Sequence, residues 1–174
     1  MACPAVAGAS ALVRQYYVDG YYPSGSPNGA DALVPTGALI KATVINSAVD
    51  MTGVGGYPSN LEGWGRIRID DPLFFAGDAR ALGVLDDVRN ADGLNTGQEI
   101  SYNVNVVNSA QVLRITATWT DVAATAGSAF ASVNDLDLEV TSPGGTLFRG
   151  NVFSGGFSRS GGPKDDRNNV AQVH

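Results

Sequence analysis

Oxygen donors crowd the last third of this chain. Asp121, Asp135, Asp137, Asp165 and Asp166 fall near Asn134, Asn151 and Asn168. Carboxylates and amide carbonyls are the hard ligands that calcium takes, about six to eight at a time. Asp135 and Asp137 stand two apart in Asp-Leu-Asp-Leu, so in a strand they share one face while Leu136 and Leu138 share the other. The candidate ligand set is Asp121, Asp135, Asp137, Asn151 and Asp166. A solvated strand face with aspartates capping its turns explains the same residues, and no EF-hand spacing decides between the two.

Acyl-transfer chemistry has less to work with. The only histidine is His174, the last residue, so a serine nucleophile has no evident base. Ser10, Ser47 and Ser160 sit in no recognisable nucleophile context, and no Gly-x-Ser-x-Gly elbow is present. Cys3, in the first turn of a predicted helix, reads either as a thiol of lowered pKa or as a small buried residue. A single cysteine excludes an internal disulfide framework. Trp64 and Trp119 read as packing. Tyr16, Tyr17, Tyr21 and Tyr22 read as a helix end packed against neighbours, or as a sugar-binding surface.

Charge narrows the partners. A net charge of −6 with two lysines, Lys41 and Lys164, argues against a nucleic-acid surface. No apolar run approaches the roughly 20 residues of a membrane helix. The opening stretch is no secretory leader by composition, because no Lys or Arg precedes Arg14 and its apolar residues are alanines rather than leucines. With 44% apolar residues the chain of 174 can bury a core.

Two helices are predicted ahead of the acidic region. The first covers 2 to 18, with Pro4 in its opening turn and Asp19-Gly20 as its stop. Its many alanines suit close enclosure by other backbone. The second covers about 36 to 48, led by Pro35. Beyond residue 76 the period changes to two: Ile100, Tyr102, Val104 and Val106; then Leu113, Ile115, Ala117 and Trp119; then Leu136, Leu138 and Val140. Pro143-Gly144-Gly145 signals a hairpin. The expected fold is mainly β with two N-terminal helices, the sheet part an antiparallel β-sandwich or jelly roll, and the boundary divides 1–75 from 76–174.

Met1-Ala2-Cys3-Pro4-Ala5-Val6-Ala7-Gly8 resembles the segment just after the nucleophile of subtilisin-like serine proteases, Gly-Thr-Ser-Met-Ala-x-Pro-x-Val-Ala-Gly. Residues 35–48 are similar to that family's next helix, and Gly63-Trp64-Gly65-Arg66-Ile67 to the turn that closes the catalytic domain in a large subgroup. Trp119-Thr120-Asp121, Val133-Asn134-Asp135-Leu136-Asp137-Leu138, Ser142-Pro143-Gly144-Gly145-Thr146 and Arg167-Asn168-Asn169-Val170 resemble the subgroup's C-terminal sandwich, related to the P domain of proprotein convertases.

The resemblance implies that 1–75 is the C-terminal helical part of a subtilisin-like α/β domain, and that 76–174 is a P-domain-like jelly roll lacking its last strands after Val173. It implies a secreted endopeptidase as parent, hydrolysing peptide bonds in protein substrates. The catalytic Asp, His, Ser and oxyanion Asn would lie upstream, leaving no catalytic residue in this chain and Met1 as a neighbour of the substrate cleft. It also implies calcium. The alternative is a non-catalytic sandwich that binds protein or glycan through the loop-rich stretch 151–169. In either case, apolar helix faces and an open sheet edge left uncovered predict self-association. Each Leu- or Val-sized side chain left exposed forfeits about 1.5–3 kcal/mol.

Overall fold

The computed structural model describes residues 2–174. Helix α1 spans Ala2–Val18 and helix α2 spans Gly37–Asn46. Five strands follow: β1 Ile115–Thr118, β2 Glu139–Thr141, β3 Leu147–Ser154, β4 Phe157–Ser160 and β5 Val170–Val173.

The start and stop of α1 match the sequence signals. Its C-terminus closes in a Schellman pattern, with Gly20 N donating to the Tyr17 carbonyl and Tyr21 N to the Tyr16 carbonyl, each at 3.1 Å. Gly20 takes φ +72°, and a Cβ there would lie 2.7 Å from the Asn28 carbonyl carbon, so only glycine fits. Val13, Tyr16, Tyr17 and Leu73 form the buried cluster, with Leu39, Ile40 and Val44 of α2 packed against it. The enclosure expected for the whole helix is thus found only at its C-terminal end. Residues 2–8 are exposed, and Cys3 is exposed rather than buried. The reason is reach: the buried cluster takes in α1 only from Val13 onward, with Ala9 and Ser10 half-buried ahead of it.

Thr36 caps α2, its hydroxyl accepting from Leu39 N at 3.0 Å. Its own N–H and hydroxyl both donate to the Asp87 carboxylate. The helix ends at Asn46, two residues short of the predicted end, where Arg114 Nη1 donates to the Asn46 and Ala48 carbonyls at 3.2 and 2.8 Å.

The strands form two antiparallel sheets, β1–β5 and β2–β3–β4. The Pro143–Gly145 turn joins β2 to β3 as the sequence predicts, with Glu139 opposite Arg149 and Thr141 opposite Leu147. Asn151 knits the sheets together: at φ +64°, its Nδ2 donates to the Val170 carbonyl and its Oδ1 accepts from Gln172 N. Close approach at the same place needs Gly150, whose hypothetical Cβ would sit 2.7 Å from the Ala171 Cβ. Helix α2 lies on β1, where Thr118 Oγ1 donates to the Ala38 carbonyl and Asn46 Nδ2 to Thr116 Oγ1. The chain after residue 76 also returns to the helices, with Val84 N donating to the Tyr22 hydroxyl.

A mainly β fold with two leading helices is therefore what forms. One strand expected from periodicity does not. Ile100, Tyr102, Val104 and Val106 alternate in sequence, yet all four remain exposed and the segment pairs with no strand among the described residues. Alternation gives a segment two faces; only a neighbouring backbone makes it a strand.

Candidate functional site

The five residues proposed for calcium do not converge. Asp121 spends both carboxylate oxygens on local donors: the N–H groups of Val122, Val133 and Asn134, and Asn134 Nδ2 at 2.7 Å. The Val133 amide bond leads in holding its pKa below the usual range. It serves as a loop cap. Asn151 is committed to the β3–β5 junction, and its Nδ2 also donates to Asp165 at 2.5 Å. Burial raises Asp165, but the Asn151 and Asn168 amides and neighbouring backbone N–H groups outweigh it, and its carboxyl is held low overall.

The remaining three share a corner. Asp137 pairs with Lys164 at 2.7 Å. Asp135 is raised above the ordinary carboxyl value by desolvation first, then by the charges of Asp137, Asp166 and Asp165. Asp166 stays exposed, 3.7 Å from Arg167. Thus Asp135 has Asp137 and Asp166 as charged neighbours and Lys164 engages Asp137, while Asp121 and Asn151 do other work. Among the described residues, no group of three or more acidic, histidine or cysteine side chains is placed to hold a metal ion.

The serine and histidine groups are likewise engaged in structure. Ser10 Oγ donates back along its helix to the Val6 carbonyl, and the fully enclosed Ser47 Oγ to the Val44 carbonyl. The His174 ring stacks on Phe153 at 4.8 Å and Tyr57 at 6.0 Å, and its Nε2 lies 2.7 Å from the Gly156 carbonyl. Its Nδ1 is buried without a partner. Burial, aided by the Arg114 charge, holds its pKa below the usual histidine value. Among the described residues the imidazole bonds to no serine hydroxyl or carboxylate, and its stacking joins the Tyr57 loop to β3. Met1, the expected cleft neighbour, lies outside the described residues.

Sequence reasoning missed the polar contacts between α2 and the sheet. Besides Arg114, Lys41 Nζ reaches Asn169 Oδ1 at 2.6 Å, and burial lowers its pKa. Such pairs carry no periodic signal, because their partners lie far away in the chain.

One concave surface is present beside α1. A cavity of about 340 Å³ is lined by Leu12, Tyr16, Tyr21, Ile69, Leu73 and Phe75, with Asp19 and Asp70 at its rim. Tyr16 and Tyr21 stack 5.6 Å apart, and Phe75 meets both edge-on. Tyr16 also donates its hydroxyl to the Phe74 carbonyl at 2.7 Å. The tyrosines therefore pack as a helix end, and one side of that packing forms the wall of the groove.

No protein-family model matches the chain. It is similar to three proteins of Dictyostelium discoideum, each named as a serine protease/ABC transporter B family protein. Identity to tagD is 33%, over 92% of this chain and 11% of that protein. For tagA it is 35%, over 75% of this chain and 7% of that protein, and for tagB 31%, over 79% and 9%. The chain thus spans about a tenth of the length of these relatives. No described helix is long and apolar enough to cross a membrane.

Proposed function

We propose that this chain is the non-catalytic C-terminal portion of a subtilisin-like serine endopeptidase: the last two helices of the catalytic domain, residues 1–75, followed by a P-domain-like β-sandwich, residues 76–174. The observation that carries the reading is a run of matches to one order of elements. A sequence similar to the family's post-nucleophile segment opens a 17-residue helix, followed by a capped second helix and then the Gly-Trp-Gly-Arg turn, docked just past that helix's end through the Val49–Arg66 bridge. Relatives named as serine proteases support it from a separate direction.

In this reading the parent hydrolyses peptide bonds outside the cell. The nucleophile and base come from sequence before residue 1, and Met1 borders the substrate cleft. This chain's own contribution is mechanical. Tyr16 and Tyr17 anchor the C-terminal end of the nucleophile-bearing helix on α2, and Arg114 and Lys41 fasten α2 to the sheet. A rigid helix is what a serine at its tip needs for attack at fixed geometry. Calcium is not built into this mechanism, because its candidate ligands are divided between a loop cap, a strand junction and a lysine corner.

The test has two arms. The purified chain is assayed on casein and with a fluorophosphonate probe; neither cleavage nor labelling is expected. The transcript upstream of the Met1 codon is then read, and an in-frame Gly-Thr-Ser is expected. Serine-directed labelling of the chain alone, or an upstream reading frame without that tripeptide, overturns the proposal.

A further inference from the structure

The molecule exposes far more surface than its mass requires. Its accessible area is 10993 Å² for 18.0 kDa. A compact monomer of that mass exposes roughly 8000 Å², so the excess is about 2900 Å². A standard protein–protein interface takes only about 800 Å² from each partner.

Part of that surface has a defined shape. Residues 99–107 are all exposed, and none of their backbone groups makes a hydrogen bond among the described residues. Ile100, Tyr102, Val104 and Val106, each between 44% and 50% exposed, alternate at strand period and would share one apolar face in a strand. The same chain carries a complementary vacancy: among the described residues β1 has β5 as its one strand partner, and on its other side Asn46 Nδ2 of α2 takes the carbonyl of Arg114, just before the strand. An unpaired strand and an unpaired edge are the two halves of a sheet extension. One contact from the loose segment, and one from Gln111 beyond it, reach residues 78–87. The Tyr102 hydroxyl bonds to Asp86, and Gln111 Oε1 accepts from Arg80 Nε at 2.9 Å.

We propose that two copies of this chain pair reciprocally, residues 99–106 of each adding as a strand to the edge of β1 away from β5 in the other. One two-fold contact then satisfies both vacancies twice and sets each alternating apolar row in line with a face of the partner copy's β1. This inference does not rest on the protease reading; an inactive chain and an active parent fragment would dimerise alike.

Sedimentation velocity and light scattering across about a hundredfold range of concentration test it, with hydrogen exchange on the same samples. The expected result is a dimer whose amides at 99–106 become protected as it forms. Val104→Lys places a charge on the apolar face at a half-exposed position, so it should weaken association at least about tenfold, leave far-UV circular dichroism unchanged and abolish the protection. Three results overturn the proposal. The chain stays monomeric at the highest concentration. Amides 99–106 are already protected in the monomer, which means the segment closes on its own β1. Or the dimer survives Val104→Lys and is broken instead by Leu12→Lys, which places the contact on the groove beside α1.

Discussion

Tyr17 offers the sharpest test of how α1 is seated. It is fully enclosed, and its hydroxyl lies 3.1 Å from Thr43 Oγ1. Thr43 spends its own proton on the Leu39 carbonyl at 2.9 Å, so Tyr17 must be the donor of the pair. Tyr17→Phe removes that donor without stranding one, and at neutral pH should cost about 0.5–1.5 kcal/mol. For a domain of this size that is a fall in Tm of roughly 1–6 °C. Alkali makes the prediction specific. Burial leads in pushing the Tyr17 phenol up to about 12, against the pull of the Thr43 bond. In the unfolded chain it titrates near ~10. The folded state therefore keeps its proton longer. The stabilisation from this group is intact below about pH 10 and is lost as pH climbs toward 12, with roughly 2 kcal/mol gone by about pH 11.5. The assay is urea unfolding, followed by near-UV circular dichroism, at a series of pH values for both proteins. Tyr16, Tyr57 and Tyr102 are also raised and titrate in both, so only the difference is diagnostic. The wild type should start more stable, and the two curves should converge and then cross. Parallel curves throughout that range would refute the burial of Tyr17 and with it the seating of α1.

Gly65, in the Gly-Trp-Gly-Arg turn, holds φ +91°, and a Cβ there would lie 2.9 Å from the Val49 carbonyl carbon. Gly65→Ala should destabilise by at least about 2 kcal/mol, whereas Gly63→Ala, also at positive φ but in open space, should cost about 1 kcal/mol. Equal melting temperatures for the two variants would remove the close approach of the turn to Val49. His174 is held neutral by burial, so its contribution is present above its ordinary pKa near ~6.5 and fades as pH falls below that value. His174→Phe should flatten the Tm profile between about pH 7 and 5; an unchanged slope would show that the stack with Tyr57 and Phe153 carries no weight. With Asp137 paired to Lys164 and Asp121 filled by amides, calcium should raise Tm no more than magnesium at equal concentration. A rise specific to calcium would restore the ligand set expected from the sequence resemblance.

Local signals were decisive where the determinants lie within a few residues of each other. Pro4, Asp19-Gly20 and Pro35-Thr36 delimit α1 and α2, and Pro143-Gly144-Gly145 places the β2–β3 turn, because capping and turn geometry are chosen by neighbouring dihedrals and side chains. The protease-like order of motifs was legible for the same reason. Everything that depends on a distant partner was decided only in three dimensions. Ile100 to Val106 have the alternation of a strand and no strand beside them. The aspartates that looked like one ligand set were divided between an amide cap and a lysine corner. The lone histidine, which offered no evident base in the sequence, is a stacked residue packed among Tyr57, Phe153 and Gly156. A sequence sets which faces and charges a segment owns; what those faces meet is fixed by packing between segments far apart in the chain, where desolvation and pairing, not spacing, settle the outcome.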